Sequence, residues 1–186
     1  MDLNTQIFYF INNDLANPAF NAVLPNFTHL GGFTFMGIFI AALLILTRFD
    51  IFSSKRYYGL VKTIAWALIL MVMIVSCLKL AFHAPRPFMI LDHVNLPAPF
   101  GGMSIEDPNS FPSGHSATSA AVVSVIILRS KEYFKKYNLV NVIAVLFFVV
   151  IAFSRIYIGM HFPLDVLTGS VIGMVCGVLA WKFLKV

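Results

Sequence analysis

Charged residues are scarce in this sequence. Asp, Glu, Lys and Arg make up 11% of its 186 residues, against 59% apolar residues, and the mean hydropathy is +0.86. A soluble domain carries about a quarter charged residues, because its surface faces water. This chain has too little polar material to cover a globule, which excludes a soluble enzyme or binding domain. Cysteine is nearly absent as well. Cys77 and Cys176 both stand in apolar runs, so no disulfide framework or cysteine-based metal cluster is expected, and both read as small buried hydrophobes. No basic run interleaved with aromatics accompanies the net charge of +5, which argues against a nucleic-acid partner. The first residues, Met1-Asp2-Leu3-Asn4-Thr5, lack a positive n-region and a small-residue cleavage site, so no removable signal peptide is expected.

What the chain has in quantity is long apolar sequence. A helix needs about 20 mostly apolar residues to cross the hydrocarbon core of a bilayer. Five stretches meet or approach that length: residues 30–46, 59–82, 116–128, 139–153 and 164–184. Residues 1–28 are weaker, with Pro18 and Pro25 interrupting them. They read as an interfacial helix, with a sixth span as the alternative. The expected architecture is therefore all-α: one domain over residues 1–186, a polytopic membrane helix bundle of five transmembrane helices plus an N-terminal interfacial helix, with six spans possible.

The basic residues orient this bundle, because cytoplasmic flanks carry the excess of Lys and Arg. Arg48, Lys55, Arg56, Lys62, Arg129, Lys131, Lys135, Lys136, Lys182 and Lys185 all fall on one side of five spans. Lys79, Arg86 and Arg155 fall on the other side, with Asp2, Asp14, Asp92, Glu106, Asp107 and Asp165. Those three outlying cations break the orientation rule and call for a separate explanation.

They sit in three clusters at the helix ends on the extracytoplasmic side. The second span closes on Lys79, with Arg86-Pro87 shortly after; the third opens with Pro112-Ser113-Gly114-His115; the fourth ends in Ser154-Arg155, and His161 and Asp165 introduce the fifth. Taken singly, each has an ordinary reading: a snorkelling lysine, a helix N-cap, an entry turn. Together they place three cations, two histidines and an aspartate at one membrane face, where such groups are costly unless they pair or serve a function. The chemistry that suits them is phosphoryl transfer, whose transition state spreads negative charge over three equatorial oxygens. Lys79, Arg86 and Arg155 supply the opposing charge, and arginine adds bidentate geometry. Ser113 and Gly114 place a hydroxyl and backbone N–H groups where an anion docks at a helix N-terminus. One histidine can attack phosphorus while the other protonates the departing oxygen. Asp165, four residues after His161, suits a hydrogen bond that fixes that ring. This makes His161 the candidate nucleophile and His115 the general acid.

In order, the clusters read Lys-x6-Arg-Pro, Pro-Ser-Gly-His and Ser-Arg-x5-His-x3-Asp, and this resembles the three-part signature of the type-2 phosphatidic acid phosphatase superfamily. The resemblance spans residues 79–165 over eleven fixed positions. It implies that Lys79, Arg86, Ser113, Gly114 and Arg155 bind phosphate, that His161 forms a phosphohistidine oriented by Asp165, and that His115 protonates the leaving group and then serves water as a base. It implies no metal and no cofactor. The orientation of the bundle puts this face outside the cytoplasm and at the surface of the plasma membrane, so a lipid phosphate or diphosphate is the expected substrate. The chain's size resembles that of the small bacterial undecaprenyl-diphosphate phosphatases, which often carry Asp at the position of Gly114; phosphatidic acid and phosphatidylglycerophosphate fit the same motifs. The loop of residues 88–110, with Asp92, His93, Glu106 and Asp107, is expected to help select the head group. His29, His83 and His93 stand outside the signature, and Tyr157 and Gly159 are expected to shape a turn. The rival readings are a phosphate-lipid transporter or flippase, which calls for polar groups near the bilayer midplane, and a vanadate-dependent haloperoxidase, whose relatives are soluble.

Overall fold

The ends of the helices are where the sequence speaks most plainly about local structure. The computed structural model of the protein describes residues 1–51, 54–97 and 108–184, and these are helical apart from turns and loops. Helix α1 (Leu3–Tyr9) starts where the Asp2 carboxylate accepts the Thr5 N–H at 3.0 Å. A π-helical turn over Phe10–Asp14 follows. Helix α2 (Pro18–Phe27) is capped by Asn17, with Pro18 as its first residue, where a missing N–H costs nothing. A 3₁₀ turn over Thr28–Gly31 leads into α3 (Phe33–Arg48). Next come α4 (Tyr58–Ala81), the single turn α5 (Pro87–Ile90), α6 (Gly114–Tyr133), α7 (Tyr137–Tyr157) and α8 (Pro163–Phe183). No β-strand occurs among the described residues; one isolated bridge joins Pro85 to Asn109.

Four of the five expected spans fall on α4, α6, α7 and α8, and the first falls on α3. The expectation for residues 1–28 needs correction. They form two helices and a π turn rather than one interfacial helix, and Pro18 opens a helix rather than breaking one. The segment Pro18–Gly31 then meets α3 at a bend of 52°, because Gly32 between them is extended (φ −69°, ψ 144°). By length and apolar content, Lys55–Ala81, α7 and α8 are each able to cross a membrane, and the bent pair makes a fourth span if it counts as one. Helix α6 is the exception among the long helices. Its 20 residues extend about 30 Å, enough to cross, but its interior is Ser, Thr, Ala and Val and its end carries Arg129, Lys131 and Glu132. That composition fits its place: residues 116–123 are all buried, so neighbouring helices rather than lipid cover its polar hydroxyls.

Helices α6 and α8 share the most extensive contact in the bundle. Gly169, Gly173 and Gly177 line one face of α8, each four residues from the next. A Cβ on Gly173 would lie 2.1 Å from the Ala117 carbonyl oxygen, and one on Gly169 would lie 2.3 Å from that of Ser113. Small residues at this spacing let two membrane helices approach backbone to backbone. Around the pair, Met36 and Ile40 of α3, Ile64, Leu68, Met71 and Val75 of α4, and Ala117, Val125, Cys176 and Ala180 close the core. The outer faces are apolar: Leu139, Val142, Ile143, Leu146 and Val149 of α7 are all exposed, a stripe at helical spacing that suits lipid. Cys176 is buried as expected, whereas Cys77 is exposed on α4.

Candidate active site

Three connections and four helix ends build the site. After α4 the chain leaves the helix through residues 82–86, where the Ala84 N–H turns back onto the Phe82 carbonyl at 2.9 Å, and carries Arg86. A returning segment, residues 108–113, lies against it: the Ser110 N–H donates to the Ala84 carbonyl at 2.8 Å, and the Lys79 ammonium donates to the Asn109 carbonyl at 2.6 Å. Ser113 then caps α6. At the end of α7, the Arg155 carbonyl accepts the Met160 and His161 N–H groups, both at 3.2 Å, which winds the chain into a tight loop. Gly159 sits in it at φ +76°, a conformation that disfavours a side chain. A Cβ there would also lie 2.7 Å from Val94 Cγ1. The loop delivers His161 to the centre of the site, and Asp165 follows in the first turn of α8.

These elements bring together the residues singled out from the sequence. Arg86 Nη1 donates to the Met160 carbonyl at 3.0 Å and stands 3.4 Å from His161 Nε2. Arg155 Nη1 donates to Thr28 Oγ1 at 3.1 Å, while its Nε is buried with no hydrogen-bond partner among the described residues. An orphaned guanidinium N–H in a buried site is a donor awaiting an acceptor. His161 is 2% exposed. Burial, and after it the charges of Arg155, Arg86 and Lys79, hold its imidazole well below the ordinary histidine range, so the ring is neutral at pH 7 with a lone pair to offer. His115 and Gly114 are half-buried; a Cβ on Gly114 would meet nothing within 4 Å, so this end of α6 faces open space.

Two expected contacts are arranged differently. Asp165 does not hydrogen-bond His161 directly: Oδ2 lies 3.8 Å from His161 Nδ1. Instead Oδ2 accepts the Ser110 hydroxyl at 2.5 Å and the Phe162 N–H at 2.9 Å, and the Ser110 Oγ lies 3.3 Å from His161 Nδ1. Ser113 is also more occupied than expected. Its N–H donates to the Asp165 carbonyl at 3.0 Å and its hydroxyl pairs with that of Ser116 at 3.0 Å. The tie to Asp165 joins α6 to α8, and the donors left at the helix start belong to Gly114 and His115.

Three further contributors were not singled out from the sequence. Ser110 is fully buried beside the histidine. Thr28, from the turn before α3, holds Arg155 and also pairs with the Ser154 hydroxyl at 2.9 Å. Gly32 abuts the other histidine, since a Cβ there would lie 3.1 Å from His115 Nε2. The only signal in the sequence was the closeness of Ser110 to the Pro112-Ser113 motif. His29, His83 and His93 are exposed. Of the loop expected to select a head group, Asp92 and His93 are exposed and tied by their carbonyls to Tyr9 and Asn13; Glu106 and Asp107 lie outside the described residues. Among the described residues no group of three His, Cys, Asp or Glu side chains is placed to hold a metal ion.

A buried neutral imidazole beside two guanidiniums, with a second histidine at the N-terminus of α6, suits attack on a tetrahedral oxyanion. The comparisons with known proteins find relatives named as phosphatases. A family model described as the PAP2 superfamily matches residues 60–186. Phosphatidylglycerophosphatase B of Bacillus subtilis is 28% identical over 86% of this chain and 73% of its own length. The undecaprenyl-diphosphatase of Sulfolobus acidocaldarius is 26% identical over 91% of this chain and 73% of its own. The crystal structure of Aquifex aeolicus LpxE superposes with a TM-score of 0.76 at 30% identity, covering 98% of this chain and 96% of that one.

Proposed function

The chain belongs to the PAP2 superfamily of membrane lipid phosphatases, and from that membership we propose that it hydrolyses a lipid phosphate or diphosphate through a phosphohistidine at His161. The observation that carries this reading is the neutral, buried His161 ring with Arg86 and Arg155 beside it. In the first step His161 Nε2 bonds to phosphorus, the bond to the leaving oxygen breaks, and His115 gives that oxygen a proton. In the second, water attacks phosphorus, His115 takes the proton of the water, and the P–N bond breaks to free phosphate and the imidazole. Lys79, Arg86, Arg155 and the N–H groups at the start of α6 balance the charge that gathers on the equatorial oxygens.

The favoured substrate is a polyprenyl diphosphate such as undecaprenyl diphosphate, presented from the outer leaflet of the plasma membrane to an extracytoplasmic site. The relative named undecaprenyl-diphosphatase supports that class. The relative named phosphatidylglycerophosphatase B supports a glycerophospholipid monophosphate as the second reading. Phosphate release by detergent-purified protein, in excess chelator, on undecaprenyl diphosphate, phosphatidic acid and phosphatidylglycerophosphate separates these readings. Release on at least one lipid is expected, lost in His161→Ala protein that remains folded. Release at the wild-type rate by His161→Ala would remove His161 from the mechanism. Silence from folded wild-type protein on all three, with no binding of vanadate, would favour a phosphate-lipid carrier instead.

A further inference from the structure

The hydroxyl of Ser110 stands between Asp165 and His161, and we propose that Ser110 is the positioning residue that fixes the reactive tautomer of His161. The proposal deepens the phosphatase reading, because it takes His161 as the nucleophile. Its basis is a count of protons. A serine hydroxyl has one proton to give. Asp165 Oδ2, an acceptor when ionised, takes it at 2.5 Å, the shortest of the three contacts made by Oγ; the others are His161 Nδ1 at 3.3 Å and the Met160 carbonyl at 3.4 Å. Toward His161 Nδ1 the oxygen is therefore left as an acceptor, and Nδ1 carries the ring proton. The opposite edge of the ring gives the same answer independently. Arg86 Nη1, 3.4 Å from Nε2, has only N–H groups to offer, so Nε2 is the nitrogen with the lone pair. Both edges require the Nδ1–H tautomer, with Nε2 as the nucleophile.

The surroundings hold Ser110 still for this task. Its residue is fully buried, its N–H is bonded to Ala84, and its neighbour Asn109 is bonded to Lys79. One of the phosphate-binding cations therefore anchors the segment that orients the nucleophile. When Nε2 bonds to phosphorus the ring becomes cationic. The Nδ1–H then points through Ser110 at the Asp165 carboxylate, which lies 3.8 Å from Nδ1 and balances the new charge.

The test has two parts. In wild-type protein labelled with 15N at histidine, the His161 ring should show a protonated Nδ1 and a bare Nε2 near neutral pH. A protonated Nε2 would overturn the proposal, whether or not a substrate has been found. In activity assays Ser110→Ala should lower kcat by about 10- to 100-fold, as small misplacements of a reacting group do, with KM little changed. Ser110→Thr, which keeps the hydroxyl, should restore most of that loss. In Asp165→Asn protein, adding Ser110→Ala should cost little more, since both act through one ring. Wild-type kcat in Ser110→Ala, or full additivity with Asp165→Asn, would overturn the proposal. Inactive wild-type protein that shows the expected tautomer would count against the phosphatase reading alone.

Discussion

The strongest influences on the imidazole of His161 act in one direction, against a hydrogen bond with the Ser110 backbone that acts in the other. Burial and the charges of Arg155, Arg86 and Lys79 all disfavour its protonated form, and a histidine neutral in the folded state but free to protonate when unfolded links stability to pH. The unfolded chain binds the extra proton, so this contribution is present above the ordinary histidine value of 6.5 and is lost as pH falls below it. An NMR titration of substrate-free protein should accordingly place His161 below 6.5. Lys79→Ala should move it upward, because one repelling charge has gone; a downward move would contradict the assigned cause. His115 invites a different test, because a general acid matters in proportion to how poor the leaving group is. In kcat/KM, which reports the step that expels the leaving group, His115→Ala should lose about 10²- to 10⁴-fold on phosphatidic acid and much less on a nitrophenyl phosphate, whose leaving oxygen departs without a proton. Equal losses on both substrates would remove His115 from that role. The residues in these predictions were legible in the sequence because charge at a membrane helix end is rare enough to stand out. Ser110 and Thr28 were not, since a lone hydroxyl has no such rarity and its meaning comes from what the fold sets beside it.

Among the elements, α8 decides where the halves of the site meet. Its glycine face lets α8 lie against α6 closely enough for the Ser113 N–H to reach the Asp165 carbonyl. Gly173→Leu should push the helices apart; overpacking of this kind costs about 1–3 kcal/mol or more. The expected result is a lower melting temperature in detergent together with reduced activity, and an unchanged melting temperature would show that the interface tolerates separation. Gly32 calls for a gentler change. Its backbone is extended, so alanine meets no backbone strain there, but the added methyl would stand 3.1 Å from both His115 Nε2 and the His29 carbonyl oxygen. Gly32→Ala should therefore lower kcat by about 10- to 100-fold, as small misplacements at a reacting centre do, while leaving the melting temperature near that of the wild type. Among the long helices, α4, α7 and α8 stand out by apolar length, whereas α6 fell short on apolar content because its hydroxyls are covered by other helices. The N-terminal segment was not legible, because its role rests on distant contacts. Asn12 Nδ2 donates to the carbonyls of Asn95 and Tyr157 at 2.8 and 2.7 Å, and the Tyr157 hydroxyl donates to Asn21 at 2.6 Å. No periodicity in residues 1–28 announces partners some 80 to 145 positions away.

Across the whole molecule, charge separates the two ends of the bundle. Arg129 of α6 donates to the Gly59 carbonyl at 2.9 Å and to Thr63 at 2.7 Å, and Arg56 donates to the Tyr133 carbonyl at 2.8 Å. The start of α4 and the end of α6 therefore share one end, with Arg48, Lys62, Lys131, Lys135, Lys136 and Lys182 at neighbouring helix ends or connections; Lys185 lies outside the described residues. Lys79, Arg86 and Arg155 gather at the opposite end, where hydrogen bonds hold them around His161. The positive-inside rule acts on solvated flanking charges, so these three, committed to a binding site, are expected to have little weight in setting topology. By that rule the eight others named here with described positions are expected to mark the cytoplasmic end, with the site outside. Labelling in intact cells tests this directly. With Cys77 replaced by Ala to remove its exposed thiol, a cysteine introduced at the exposed Asp14 should react with a membrane-impermeant maleimide. One introduced at the exposed Lys135 should react only after the membrane is opened. The reverse pattern would turn the site toward the cytoplasm. It would also rule out a substrate taken from the outer leaflet, since a lipid phosphate there could not reach His161 without first crossing the bilayer.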